Sequence, residues 1–356
     1  MNFNRGKLAD GISKLSRLMR RSTFQAGYLF NGSTISVGNG EGQATFDYGE
    51  DIAMPSVVVP ASALDQFLVG KPDATISIVP SGNKVTISCN GTRFVASTLE
   101  PHNVPMSEGI TEGWWDCGQD IADAVKAASL WAAGGGKRID QDHLQMTPVE
   151  GGLFLISSAG VAFSCARVDC ENTLLCTIFI PDTMVGVITA SEGPFQLVAT
   201  ERRIGFREGP FTAYHALYQD RKTLPLAAAN NLLSTPLCTT VDRERFAEIL
   251  KGAVGACSSM SLLDSVVNLV VNRTKLGIRK TTSESSYEAS VDGEQDKEGA
   301  DIDIWMAANQ VLRGIGGLKG EKVAVFASND RARPIVVREP GRQWPAHAFA
   351  QCVGKS

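Results

Sequence analysis

Lys7, Lys14, Arg17, Arg20 and Arg21 concentrate positive charge near the start of the chain. At about 100° per residue, Leu8, Ile12, Leu15 and Met19 share one arc of a helix. Lys7, Lys14, Arg17 and Arg21 fall on roughly the opposite arc, and only Asp10 interrupts them. A solvated helix face ordinarily mixes both signs. A stripe of one sign can neutralise phosphates and release their counterions without reading bases. On the residues alone an ordinary solvated face remains the alternative. Elsewhere the cations are sparser. Lys126 lies opposite the apolar face of a second helix, and Lys251 opposite that of a third, beside Glu244 and Glu248. Lys71, Arg313 and Lys319 adjoin shorter helices, and Lys137 and Arg138 follow three glycines. These helices carry few Asn, Gln or Arg side chains in register to read base edges in a major groove.

Other chemistries lack their residues. The Gly134-Gly135-Gly136-Lys137-Arg138 run has Trp131 where a phosphate loop needs its first glycine, and Arg138 where it needs Ser or Thr. His102, His143, His215 and His347 are dispersed, with no i, i+4 pair. The eight cysteines include no C-x-x-C pair, and Cys165, Cys170 and Cys176 are too widely spaced for a common zinc motif. Free thiols in a reducing cytoplasm are the expectation. No catalytic motif, cofactor site or run of about 18 apolar residues is present. The 356 residues carry a net charge of only −4, so any polyanion contact must come from cations gathered on one face. The expectation is a non-catalytic binding protein.

The elements that must position these side chains occur three times. An extended apolar run leads into a short helix, and two strands follow. The runs are Val57-Val58-Val59-Pro60, Thr177-Ile178-Phe179-Ile180-Pro181 and Ile302-Asp303-Ile304-Trp305-Met306. The helices are predicted over 61–70, 182–190 and 307–316. The interval is 121 residues from Pro60 to Pro181 and 126 from Pro181 to Ala307. A period of this size means one domain copied in tandem, since solenoid periods run roughly 20–50 residues. The predicted domains are 1–115, 116–236 and 237–356, in an α+β fold with two helices per copy packed on antiparallel sheets.

Each copy also opens with a longer amphipathic helix. Ile121, Val125, Ala128 and Ala132 mark the second, and Phe246, Ile249, Leu250 and Ala253 the third, with Asp242 as its N-cap. Ser81-Gly82-Asn83 reads as a hairpin turn between alternating strands, and Gly91 and Gly209 mark equivalent later turns. The polar stretch 284–301 reads as a long hairpin loop.

The ordered set resembles the bacterial sliding clamp, the beta subunit of DNA polymerase III. The resemblance is carried by Val59-Pro60-Ala61, Asn83-Lys84-Val85-Thr86-Ile87-Ser88, Thr92-Arg93-Phe94-Val95-Ala96-Ser97-Thr98-Leu99, Val104-Pro105, Phe179-Ile180-Pro181 and Asp220-Arg221-Lys222-Thr223-Leu224-Pro225. It spans essentially the whole chain, although no single motif is highly specific. It implies a cytoplasmic, head-to-tail homodimeric ring that encircles double-stranded DNA without sequence preference. It also implies tethering of DNA polymerase and other partners through short linear motifs, a separate clamp loader, and no catalytic activity. A clamp-fold scaffold that no longer encircles DNA is the alternative.

Arg21-Ser22-Thr23 resembles a DNA-touching turn of that family, and Lys137-Arg138 fall near a second DNA-contacting loop. The family's partner-peptide pocket would correspond to Ser158, Gly160, Val161, Phe163, Lys222, Thr223, Cys352 and Val353. The chain departs from the family there. Ser158-Ala159-Gly160-Val161-Ala162-Phe163 keeps only a glycine of the usual run, and Cys352-Val353-Gly354-Lys355-Ser356 replaces the usual terminus. Phe94 and Ala96 would lie at the dimer interface.

Overall fold

The computed structural model describes residues 1–19, 27–49, 55–100, 104, 106, 108–132, 143–160, 162–219, 221–224, 226–256, 266–272, 274–281, 286–294 and 301–352. The fold is α+β. Seven α-helices lie among the described residues: α1 (Arg5–Met19), α2 (Ala61–Leu68), α3 (Gln119–Ala128), α4 (Asp182–Ile188), α5 (Leu226–Leu232), α6 (Arg243–Gly255) and α7 (Ala308–Gly316). None is long and apolar enough to cross a membrane.

One order of elements occurs three times: a strand, a long helix, four strands, a short helix and three strands. The opening strands are Asn2–Asn4, Trp115–Cys117 and Leu237–Asp242. They precede α1, α3 and α6, and sequence periodicity misses them because two are only three residues long. The segment carrying α5 connects the second copy to the third.

The helices form where the apolar period requires. Leu8, Ile12, Leu15 and Leu18 are buried along α1. Gly11 faces the same way because a Cβ there would sit 2.6 Å from the Phe46 ring. Ile121, Val125 and Ala128 are buried on α3, followed by Ala132, and Phe246, Ile249, Leu250 and Ala253 on α6. The Asp242 carboxylate accepts a 2.7 Å hydrogen bond from the Arg245 N–H and caps α6. Gly82 takes φ +59° in the turn between Thr75–Ser81 and Lys84–Cys89, a conformation that favours glycine.

One expectation is corrected. Within the stretch 284–301, expected as a loop, residues Ser286–Glu294 form a strand paired with Lys275–Thr281. Tyr287, Ala289 and Val291 alternate inward, while Ser286, Glu288, Ser290 and Asp292 are exposed. The outward acids and serines hide a period-2 pattern that is apolar on one face only.

The chain divides into two compact units, residues 1–122 with 171–219 and residues 123–170 with 220–356. The first unit holds a four-stranded sheet in the order Asn2–Asn4, Thr75–Ser81, Lys84–Cys89, Thr92–Ser97. In its other sheet, Gly42–Asp47 of the first copy pairs antiparallel with Phe211–Ala216 of the second, placing Phe46 opposite Phe211 and Ala44 opposite Ala213. In the second unit, Ala162–Asp169 of the second copy pairs with Ala346–Phe349 of the third. Both junctions follow one rule: the third sheet strand after a long helix pairs with the last strand of the next copy.

Each junction buries a histidine. His215 stands opposite Gly42, and burial holds its imidazole below the ordinary value. His347 stands opposite Ser164, whose hydroxyl lies 2.7 Å from Nδ1. Its Nε2 is buried with no partner among the described residues, and burial lowers the pKa to about 4. The unfolded chain therefore takes up the proton first. This contribution to stability is complete above about pH 6.5 and is lost as pH falls toward the folded value. We predict that urea stability falls between pH 7 and pH 5, and that His347→Asn reduces the fall. Parallel losses in both proteins would contradict this reading.

Candidate functional site

A groove of about 290 Å³ opens in the second unit. Its apolar floor comes from Ala162 and Phe163 on one junction strand, Ala348 and Phe349 on the other, and Leu224 and Pro334 beside them. Ser158, Gly160, Arg331 and Arg333 complete the rim. Gly160 adopts φ +72° in the turn closed by the Ala159 N–H on the Ala162 carbonyl, at 2.8 Å.

Two glutamines fix the groove. Gln145 is 4% exposed and binds both main-chain groups of Leu224. Its Oε1 accepts from the Leu224 N–H at 2.7 Å, and its Nε2 donates to the Leu224 carbonyl at 3.0 Å. Gln351 Nε2 lies 2.7, 3.0 and 2.9 Å from the carbonyls of Ser328, Asp330 and Arg333. The arginine-bearing turn is thereby tied to the strand segment beyond Phe349. Such a surface can hold an apolar side chain against its floor and an anion at its rim.

Ser158, Gly160 and Phe163 line this groove. Lys222 and Thr223 are exposed neighbours of Leu224, which supplies the lining instead. Cys352 bridges to Trp305 and is not part of the lining. Val161 and Val353 lie outside the described residues. Leu224 and Ala162 enter the sequence reading only as members of longer runs. Arg331, Arg333, Pro334, Ala348 and Phe349 carry no spacing signal, because strand pairing across 183 positions (Ser164 with His347) brings them in. The available clue was two arginines bracketing a turn before an apolar strand.

The cations fall into two groups. In the first unit, Lys14 Nζ lies 3.6 Å from Asp10 and 3.7 Å from Glu208. Burial would raise the Glu208 pKa, but the Ser191 hydroxyl, the Glu192 and Gly193 N–H groups and Lys14 together hold it below the ordinary range. Arg17 donates to the Ala190 carbonyl beyond the end of α4 at 3.3 Å, and Lys7 lies 4.4 Å from the Tyr48 ring centroid. In the second unit, Arg313 stacks 4.7 Å from the Trp131 ring centroid, and Lys319 pairs with Asp123 at 2.6 Å. Lys71, Lys126 and Lys251 are exposed and form no ion pair among the described residues. Lys251 shares the cleft between α6 and α7 with Arg243, Glu244 and Glu248. Arg20, Arg21, Lys137 and Arg138 lie outside the described residues.

Phe94 and Ala96 sit on Thr92–Ser97, the edge strand of the four-stranded sheet. Phe94 is 41% exposed and Val95 48%. Among the described residues, no group of three or more His, Cys, Asp or Glu could hold a metal ion.

This architecture is the sliding-clamp fold. The DNA polymerase III subunit beta of Pseudomonas aeruginosa matches 99% of this chain and 100% of its own at TM-score 0.84 and 17% identity. The corresponding subunit of Thermotoga maritima gives TM-score 0.85 at 14% identity, covering 99% of both chains. The beta sliding clamp of C. crescentus, whose structure has PEG bound at a putative beta-motif tethering region, gives 0.84 at 14% over the same shares. No protein-family model and no curated protein matches the sequence.

Removing the Gln145 amide strands both Leu224 main-chain groups. We expect Gln145→Ala to cost about 1–3 kcal/mol in urea denaturation. Hydrogen exchange should speed up at residues 222–226. Unchanged exchange there would contradict the anchoring role.

Proposed function

We propose that this protein is a non-catalytic DNA sliding clamp of the cytoplasm. Two copies close head to tail into a ring around duplex DNA, and a separate loader opens it. DNA polymerase and other partners dock on the groove at Leu224 and Phe163. The observation that carries this reading is the end-to-end likeness of fold to clamp structures, over 99% of this chain.

Strand pairing supports the ring. The junction rule leaves two edges over. The third sheet strand of the third copy, Ser286–Glu294, meets Leu237–Asp242 only at Gly293 and Glu294. The last strand of the first copy, Thr92–Ser97, is an edge. Pairing the first with the second in another copy satisfies both and repeats the internal junctions. It also sets Phe94 and Ala96 beside Tyr287 and Ala289, on the faces turned toward the helices.

A ring changes what its cations must do. Topology retains the DNA, so the contacts can be few and free of sequence preference. Exposed Lys71, Lys126 and Lys251 suit that role. Lys14 and Arg17 are already engaged with Glu208 and Ala190 and contribute field more than direct contact.

Sedimentation should give a dimer, and Phe94→Asp or Ala289→Asp a folded monomer. A monomeric wild-type protein would overturn the ring. Loaded on nicked circular DNA, the protein should be retained and then released on linearisation. Lys71→Glu, Lys126→Glu and Lys251→Glu together should weaken retention in low salt. A stable dimer that binds partner peptides but shows no topological retention would make the protein a clamp-fold scaffold.

A further inference from the structure

Resting on the docking reading of the groove, we propose that its partner is a short acidic peptide: one or two leucine or aromatic side chains flanked by aspartate or glutamate. Arg331 and Arg333 are the groove's charged lining residues, and no acid lines it. Arg331 is exposed and forms no ion pair among the described residues. Arg333 reaches Asp330 only at 3.9 Å, an arrangement a better-placed carboxylate would outcompete. An apolar floor with a cationic rim matches a side chain that wants burial next to one that wants a guanidinium.

The turn is also held in place. Gln351 ties three of its carbonyls, and the Ala332 N–H donates to the Asp330 carboxylate at 3.0 Å. The arginines therefore project from a fixed base, which lowers the ordering cost of binding an anion. The two rim cations lie within three residues of Pro334 on the floor, so one short extended peptide can span both features.

The test is selection from a randomised heptapeptide display library against the full-length protein. Sequences recovered on wild type should combine Leu or Phe with Asp or Glu. On Arg331→Gln/Arg333→Gln, checked for an unchanged melting curve, the acidic enrichment should vanish while the apolar enrichment remains. The best acidic peptide, synthesised with a fluorophore, should bind the double variant roughly fivefold more weakly in low salt, with less salt dependence. Its Asn/Gln counterpart should not distinguish the two proteins. Acidic enrichment that is absent, or equal on both proteins, overturns the proposal and leaves the docking groove standing. Recovered peptides that still bind Ser158→Trp, a blocked rim, would sink the docking reading itself.

Discussion

An unpaired strand edge presents N–H and C=O groups that must find partners, and this protein depends on how that demand is met. Twice within the chain the third sheet strand of one copy joins the last strand of the next. Gly42–Asp47 takes Phe211–Ala216, and Ala162–Asp169 takes Ala346–Phe349. Main-chain pairing fixes alignment, and the side chains then specify it. Phe46 against Phe211 and Ser164 against His347 are buried pairs that a one-residue slip would turn to the opposite face. The same demand stays open at Thr92–Ser97 and along most of Ser286–Glu294, and the proposed ring would meet it with a second copy.

The groove follows from the second junction. Its floor exists because two distant strands meet there, and Gln145 brings Leu224 onto them by two main-chain hydrogen bonds. Within each unit the helices pack on the strands. They are held close by glycines, as where Gly11 lies on Phe46 and Gly314 on Phe349. Several of the cations they carry are engaged by acids, carbonyls or rings of their own unit. Lys14 and Lys319 are thereby partly neutralised, while Lys126 on α3 and Lys251 on α6 stay exposed.

Much of the fold was legible in the sequence. The apolar runs ending at Pro60, Pro181 and Met306 mark the entry to each short helix, and burial at 3.6-residue spacing identifies α3 and α6. Local chemistry sufficed there, because period and cap act over a few residues. What escaped depends on distant partners. Ser286–Glu294 is polar on its outer face and reads as a loop until its neighbour strand is known. The stripe on α1 looked free because Glu208 lies 194 positions from Lys14 in sequence. The groove was half visible: Ser158, Gly160 and Phe163 fall on it, while Arg331 and Arg333 reach it only through strand pairing.

Amide hydrogen exchange, followed as a function of protein concentration, tests the central claim most directly. The alternate amides of Thr92–Ser97 and of 286–292 that point away from their own-chain neighbours, Lys84–Cys89 and Lys275–Thr281, should be protected together at high concentration and lose protection together on dilution. Those of Gly42–Asp47 and Ala162–Asp169 should stay protected throughout. Rapid exchange at both free edges at every concentration would contradict the account, because the leftover strands would then have no partner in a second copy.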